Sequence, residues 1–368
     1  MKKIIFYIDS MQMGGAQRVM NNLIDYFVCC ESEVILVNDI VPSREVPEYD
    51  INRKVKRLFL DEKQYSGIKK NIHRIKALRR ILKEEAPEVV VSFLGPPNMR
   101  MLLSAIGIRI KKVVSVRNDP YKEYGSGIKK IIAKIVFLLA DGCVFQTEDA
   151  QKYFFKRTRK KSTIIFNPVN VKFYNKKWKM DGSDIVIIGR LQEQKNPILA
   201  LNAFISIADE FKWLNLKYYG DEELASSILK IAQENNLSNR VEIVGKTSNV
   251  ENVLEHAALF VLSSDYEGMP NALMEAMTVG VPVISTDCPC GGPRMLITNS
   301  TQGVLVPCGD EKKLASAMRM VLKDRCLQEK MSECERKRSE EFHPPKILLE
   351  WEHYLNSYGE LKERDENE

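Results

Sequence analysis

LSSDYEGMPNALMEAMTVGVPVISTD, residues 262–287, is the stretch whose reading decides how this chain folds. Ala258 to Leu262 is a short apolar strand that runs into a polar loop ending at Glu267-Gly268. A helix follows. Pro270 suits a first turn, where a missing N–H costs nothing, and Gly280 suits the residue just past the last turn. Pro282 blocks further helix, so Val281 to Ser285 reads as the next buried strand. Strand, loop, helix and strand in this order make a unit of parallel sheet. Glu267 lies in the loop and Glu275 about one and a half turns into the helix. Both can face the crevice at the carboxyl end of the sheet, where ligands of α/β folds bind. Between them the helix start, Gly268 through Met269, Pro270 and Asn271 to Ala272, offers unbonded N–H groups and a positive dipole end to a phosphate.

Upstream, the same alternation continues back to about residue 180. Asp184 to Ile188, Leu216 to Tyr219 and Val241 to Val244 read as strands, with helices over Pro197 to Phe211 and Glu223 to Asn235. Strands alternating with helices imply a doubly wound parallel sheet. Each strand end carries candidate chemistry. Gly189 allows a tight turn after the first strand, and Arg190 and Lys195 bring two cations to the sheet edge, a pairing suited to a diphosphate. Gly245-Lys246 ends the third strand, and Asp287 through Gly291-Gly292 to Met295 forms a glycine-rich turn suited to capping a phosphate site. Downstream, Glu311 to Leu322 and Pro345 to Leu361 read as helices, and the final ERDENE as a fraying tail.

The first half begins its own series. Ile4 to Ile8, Val34 to Asn38, Val89 to Phe93 and Val113 to Val116 are strands. After the first of them, Gly14-Gly15 opens a helix over Gln17 to Phe27; the pair is either a tight turn or a place where backbone meets ligand. Arg117-Asn118-Asp119 follows the fourth strand, at the edge where ligands are held. Tyr65 to Glu85 is amphipathic, with Ile68, Ile72, Ile75, Leu78 and Leu82 on one face and seven lysines and arginines elsewhere. It is either a core helix with a solvated basic face or a helix resting on an anionic membrane. Ile128 to Leu139 is apolar enough for a buried helix; its lysines make membrane contact the second reading.

EGMPNALMEAM, with Glu267 and Glu275, resembles the paired-glutamate motif of family 4 retaining glycosyltransferases. Those enzymes use nucleotide sugars and have the GT-B fold, α/β with two Rossmann-like doubly wound parallel-sheet domains facing a cleft. The likeness extends from Gly14 to Pro293. It implies an acceptor-binding domain over 1–170, with the 345–361 helix packing back on it, and a nucleotide-sugar domain over 171–344. Asn167-Pro168-Val169 resembles the hinge. It further implies that Arg190 and Lys195 hold the donor diphosphate, Gly245-Lys246 the base, Glu275 the ribose hydroxyls and Glu267 the donor sugar, with Gly14-Gly15 facing the reaction centre and Arg117, Asn118 and Asp119 on the acceptor side. The chain departs from relatives at Val116, where some have Glu before Arg-Asn-Asp-Pro, and at Met295, where Glu is frequent. Catalysis would rest on Glu267, Arg190 and Lys195, without metal or cofactor, since no Asp-x-Asp motif occurs. The implied reaction moves a hexose or N-acetylhexosamine, from a UDP-sugar, to a polyprenyl-pyrophosphate-linked saccharide during bacterial surface-polysaccharide synthesis.

Composition agrees with a globular protein, at 44% hydrophobic and 28% charged residues, and 368 residues suffice for two cores. No run reaches about 18 uninterrupted apolar residues, so no membrane span is expected. Eight scattered cysteines and four histidines lack zinc spacing, which fits thiols in a reducing cytoplasm. Charge is split. Residues 1–180 carry 35 Lys and Arg against 18 Asp and Glu, a net of +17; residues 181–368 carry 20 against 31, a net of −11. A basic first half implies an anionic partner. An anionic membrane surface on the cytoplasmic side, met peripherally, fits a lipid-linked acceptor. A sugar-nucleotide epimerase would need acid and base groups that the crevice does not offer. A nucleic-acid binder would explain the basic half and leave Arg190, Lys195, Glu267 and Glu275 without a role; nucleic acid is therefore not expected as a partner.

Overall fold

The computed structural model describes residues 2–42, 46–60, 65–220 and 223–365, with side chains as far as 357. Two compact units emerge, one of Met1–Pro168 with Ile347–Glu368, the other of Val169–Lys346. Of the ERDENE tail, residues 363–365 continue the last helix and 366–368 lie outside those described.

The first unit is built on seven parallel strands. These are β1 (Lys3–Ile8), β2 (Glu33–Asn38), β3 (Lys56–Phe59), β4 (Val89–Phe93), β5 (Lys111–Ser115), β6 (Gly142–Phe145) and β7 (Ser162–Ile164). Their order is β3-β2-β1-β4-β5-β6-β7, so the chain reverses its direction of growth between β1 and β4. Register is tight there, with Ile4 opposite both Val34 and Val89. KIIFYI and VVVSF are nearly continuous apolar runs because both sheet faces are covered. One face packs Ile4, Phe6 and Ile8 on Val19, Met20 and Leu23 of α1 (Gly15–Cys29) and on Ile347, Trp351 and Leu355 of the Pro344–Asp365 helix.

The remaining helices of this unit that matter below are α2 (Gly67–Glu85), α3 (Gly95–Ser104), α4 (Pro120–Glu123) and α5 (Gly127–Val136). Two of them bury less apolar surface than their sequence patterns offer. On α2 only Leu78 and Leu82 are buried, while Ile68 and Ile72 stand exposed. On α5 the expected core packing is confined to Ala133 and Val136; Ile128, Ile131, Ile132 and Ile135 are each at least half exposed. An apolar composition says that a face avoids water, and it does not say which partner removes the water.

A polar knot sits at the carboxyl end of β1 and β2. Tyr7 Oη donates to Asp39 Oδ1 at 2.6 Å, Arg100 Nε of α3 donates to Tyr7 Oη at 2.9 Å, and Arg100 Nη2 closes the ring on Asp39 Oδ2. Arg74 of α2 reaches the same carboxylate oxygen at 3.4 Å. Burial raises the Asp39 carboxyl, and Arg100, Tyr7 and Arg74 pull it back down.

The second unit has six parallel strands, β8 (Asp184–Ile188), β9 (Asn215–Tyr219), β10 (Val241–Ile243), β11 (Ala257–Leu262), β12 (Val283–Thr286) and β13 (Val304–Val306). Their order, β10-β9-β8-β11-β12-β13, reverses between β8 and β11. Ile185, Ile187, Leu216, Leu259 and Val261 pack on Leu201, Phe204 and Met318 to form its core. The Pro197 helix, expected to reach Phe211, ends at Ile205 and tightens into turns such as Ile207 N to Phe204 O at 3.0 Å.

Candidate active site

In a doubly wound sheet the two loops flanking the reversal diverge, and the crevice between them is the natural ligand site. In the second unit those loops follow β8 and β11. They are Gly189 to Asn196 and Ser263 to Met269, and they are sewn together. Asp265 N donates to Gln194 O at 2.9 Å, Gln194 Nε2 to Tyr266 O at 3.0 Å, Ser263 Oγ to Lys195 O at 3.0 Å, and Asn196 Nδ2 to Asp265 Oδ1 at 3.0 Å. The result is that Lys195 and Glu267, 72 residues apart in sequence, form an ion pair through Glu267 Oε1. Ser264 Oγ donates to the same oxygen at 2.7 Å. Glu267 is buried, while the Lys195 side chain keeps 22% of its surface exposed.

The helix between the two glutamates is Asn271–Val279. Pro270 is its N-cap, one residue before the first-turn position read from sequence, and Gly280 closes it in the left-handed region at φ 83. Asn271, Ala272 and Leu273 precede the first helical bond, Met274 N to Pro270 O at 3.2 Å, so their N–H groups point out of the helix start. Glu275 lies on this helix and is buried. Gly268 is held by a close approach, because a Cβ on Gly292 would lie 1.7 Å from Gly268 O. Gly292 thereby ties the turn after β12 to the Glu267 loop. Arg294, in that turn, pairs with Asp287 at 2.7 Å.

Gly189, Gly220 and Gly245 form a row across the ends of β8, β9 and β10. Gly189 N donates to Tyr219 O at 2.9 Å and Gly220 N to Gly245 O at 3.0 Å. Gly189 has φ 148, and a Cβ on Gly220 would stand 1.8 Å from Gly189 O. Gly220 was missing from the sequence reading. The signal was there: each of three neighbouring strands is followed within two residues by glycine. Arg190 and Lys246 project from the same loops and are exposed.

In the first unit the reversal lies between β1 and β4. Gly14 caps α1 in extended backbone, and Gly15, the first helical residue, is exposed. The three residues expected on the acceptor side part company. Arg117 is turned into the core: Nη1 donates to Asn167 Oδ1 at 2.8 Å, and its guanidinium lies 4.1 Å from the Phe93 ring centre and 5.4 Å from that of Trp351. Burial lowers its pKa. Asp119 is buried and caps α4, accepting from Tyr121 N at 2.9 Å. Asn118 alone stays partly exposed, and its Oδ1 accepts from Asp119 N at 2.9 Å. Among the described residues, no three His, Cys, Asp or Glu side chains cluster as a metal site, and no helix is long and apolar enough to cross a membrane.

Two parallel Rossmann-like sheets, one with a lysine–glutamate pair at its reversal and a second glutamate on the following helix, define an α/β protein of the GT-B class. A solved Anabaena protein, Alr3699/HepE in complex with UDP and glucose, has the same fold, with a TM-score of 0.81 at 15% identity over 97% of this chain and all of that one. Residues 170–338 match the family described as Glycosyl transferases group 1. The chain is 27% identical, over 95% of its length and 97% of the relative's, to a Campylobacter jejuni enzyme. That enzyme is GalNAc-alpha-(1->4)-GalNAc-alpha-(1->3)-diNAcBac-PP-undecaprenol alpha-1,4-N-acetyl-D-galactosaminyltransferase. A second transferase of that organism, acting on N-acetylgalactosamine-N,N'-diacetylbacillosaminyl-diphospho-undecaprenol, is 24% identical over 96% of this chain and all of its own. The second unit is similar to the group 1 glycosyl transferases, and the chain is a glycosyltransferase.

Proposed function

We propose that the protein moves a hexose or N-acetylhexosamine, with retention at the anomeric carbon, from a UDP-sugar to a lipid-linked saccharide in bacterial glycan synthesis. The observation that carries this is the Lys195–Glu267 pair at the start of the Asn271–Val279 helix. It sets a cation, a dipole end and a sugar-orienting carboxylate around one point, where a departing nucleoside diphosphate and a developing positive anomeric carbon need them. Arg190 adds a second cation at the phosphate, and Glu275 receives the ribose hydroxyls. The anomeric C–O bond to phosphate breaks, the acceptor oxygen bonds to the same face of that carbon, and the acceptor proton passes to the leaving phosphate. Protein cations carry the charge in place of a metal. The acceptor class is taken from the two Campylobacter relatives, which this chain matches almost end to end.

A lipid-linked acceptor calls for a membrane-facing surface. We assign this to α5, whose exposed isoleucines alternate with Lys129, Lys130 and Lys134 on a strongly basic unit. The enzyme then works as a peripheral protein on the cytoplasmic leaflet.

One assay tests both parts: metal-free release of nucleoside diphosphate from UDP-, GDP- and ADP-sugars, for wild type and Glu275→Ala, with and without vesicles of anionic phospholipid. The expected result is UDP release by wild type alone, with the enzyme sedimenting with vesicles at low salt. Sugar interconversion without release would replace this reading with an epimerase, and enzyme that stays in the supernatant would remove the membrane surface.

A further inference from the structure

Glu267 is held at both ends. Its backbone N–H donates to Pro289 O, in the turn after β12, at 3.4 Å. On the side chain, Lys195 and Ser264 both meet Oε1, the Ser264 hydroxyl donating at 2.7 Å. Two donors fill the two lone-pair directions of one carboxylate oxygen. Oε2 accepts from no donor among the described residues. The side chain keeps 8% of its surface exposed. With Oε1 filled, the acceptor left for a ligand hydroxyl is Oε2.

Ser264 has no other employment for its hydroxyl. It is fully buried, at 0% exposure. Its backbone is pinned without help from the side chain: Thr286 Oγ1 of β12 donates to Ser264 O at 2.5 Å, and Asp265 N to Gln194 O at 2.9 Å. Among the described residues the hydroxyl bonds to Glu267 alone. The loop therefore keeps its path with or without it, and what the hydroxyl fixes is the carboxyl. That needs fixing, because the last torsion of a glutamate joins sp³ to sp² carbon and is broad and roughly two-fold. One partner on Oε1 leaves the group free to swing about that contact, and a second from another direction stops it.

We infer that Ser264 is a positioning residue for glycosyl transfer, one that locks Glu267 so that Oε2 faces a single hydroxyl of the transferred sugar. The inference rests on the reading that gives Glu267 the donor sugar. The two partners of Oε1 cease to be equivalent once a sugar nucleotide binds. Its diphosphate carries two negative charges and competes with Glu267 for the Lys195 ammonium. Ser264 is neutral and enclosed, so no phosphate draws it away, and its bond to the carboxylate is a charge-assisted one. As charge builds on the departing phosphate, the serine is the contact that keeps the sugar in register.

Steady-state hydrolysis and UDP titration separate this role from packing. UDP-glucose, UDP-galactose and their 2-acetamido counterparts are assayed first, and the one turned over fastest is compared with its 3-, 4- and 6-deoxy analogues. The enzymes are wild type, Ser264→Ala and Ser264→Cys, since cysteine keeps the side chain's shape and is a weak donor. The expected result is a loss of about tenfold or more in kcat/KM for both variants, with UDP affinity by calorimetry unchanged. One deoxy analogue should cost wild type about tenfold or more, and most of that penalty should vanish in both variants. If Ser264→Ala does not fold, Ser264→Cys decides. Wild-type rates in Ser264→Cys would assign the residue to packing. No deoxy penalty in wild type, an equal penalty in all three enzymes, or a parallel loss of UDP affinity likewise overturns the positioning role. No turnover by wild type overturns the transfer reading itself, so the failure of one is told apart from the failure of the other.

Discussion

Lys195→Ala should lower kcat/KM for glycosyl transfer by about 10²–10³-fold, or ~2.7–4 kcal/mol of transition-state stabilisation. The size comes from where the ammonium sits. It is fixed on a loop stitched to the Glu267 loop by four hydrogen bonds, so it needs no reorganisation when the diphosphate departs. Removing it also strips Glu267 of its ion partner and leaves Ser264 as the donor on Oε1. Donor-sugar orientation should therefore suffer along with leaving-group stabilisation, and kcat should fall more than KM rises. Lys195→Arg should recover only part of the activity, because a planar fork cannot repeat a point charge in this geometry. The control is thermal melting, which should move by no more than a few degrees for a pair partly open to solvent. A loss below tenfold would mean that another cation, Arg190 first, carries the phosphate charge.

The largest effect on stability should come from Arg100→Met. Asp39 would then keep its charge almost fully buried, with Tyr7 and a 3.4 Å contact to Arg74 as compensation. Breaking a buried pair from one side costs ~3–5 kcal/mol. Urea unfolding followed by hydrogen exchange in β1, β2 and β4 isolates the first unit, since a two-unit chain need not unfold in one step. The deficit should depend on pH in a defined direction. Arg100 lowers the Asp39 pKa, so its removal drives that carboxyl further up. An acid whose folded pKa is raised is unpenalised below its unfolded pKa and penalised as pH rises through the folded one. The variant should therefore lose least near pH 4 and most at neutral pH. The double change Asp39→Leu with Arg100→Met should recover much of the loss, because it removes the stranded charge as well. A single-variant cost under ~1 kcal/mol would show that Tyr7 and Arg74 suffice.

What could be read beforehand followed from how local each signal is. Glu267, Glu275, Pro270 and Gly280 lie within one strand–helix–strand segment, so spacing alone orders them. The two sheets were legible because doubly covered strands must be continuous apolar runs, as in VVVSF. Short strands such as β3 and β6, four residues each, carry too little pattern to stand out. Arg117 was placed at the ligand edge because it follows a strand. Its actual enclosure is built by Asn167 and Trp351, which arrive from distant parts of the chain. Glu123 and Gly95 meet across two loops for the same reason, and neither residue announces the other.

The carboxyl-terminal helix has a consequence for how the chain is made. The first unit is interrupted: Trp351, which covers Phe93 at 5.7 Å between ring centres, is translated only after the whole of Val169–Lys346. At ~5–20 residues per second, a nascent β4 waits roughly 13–50 s for its lid. The contiguous second unit can finish first, although it starts later. During that interval the apolar rows around Phe93 are open, and they are the surfaces a ribosome-associated chaperone would meet. Vectorial synthesis therefore inverts the order in which the two halves can complete their folds.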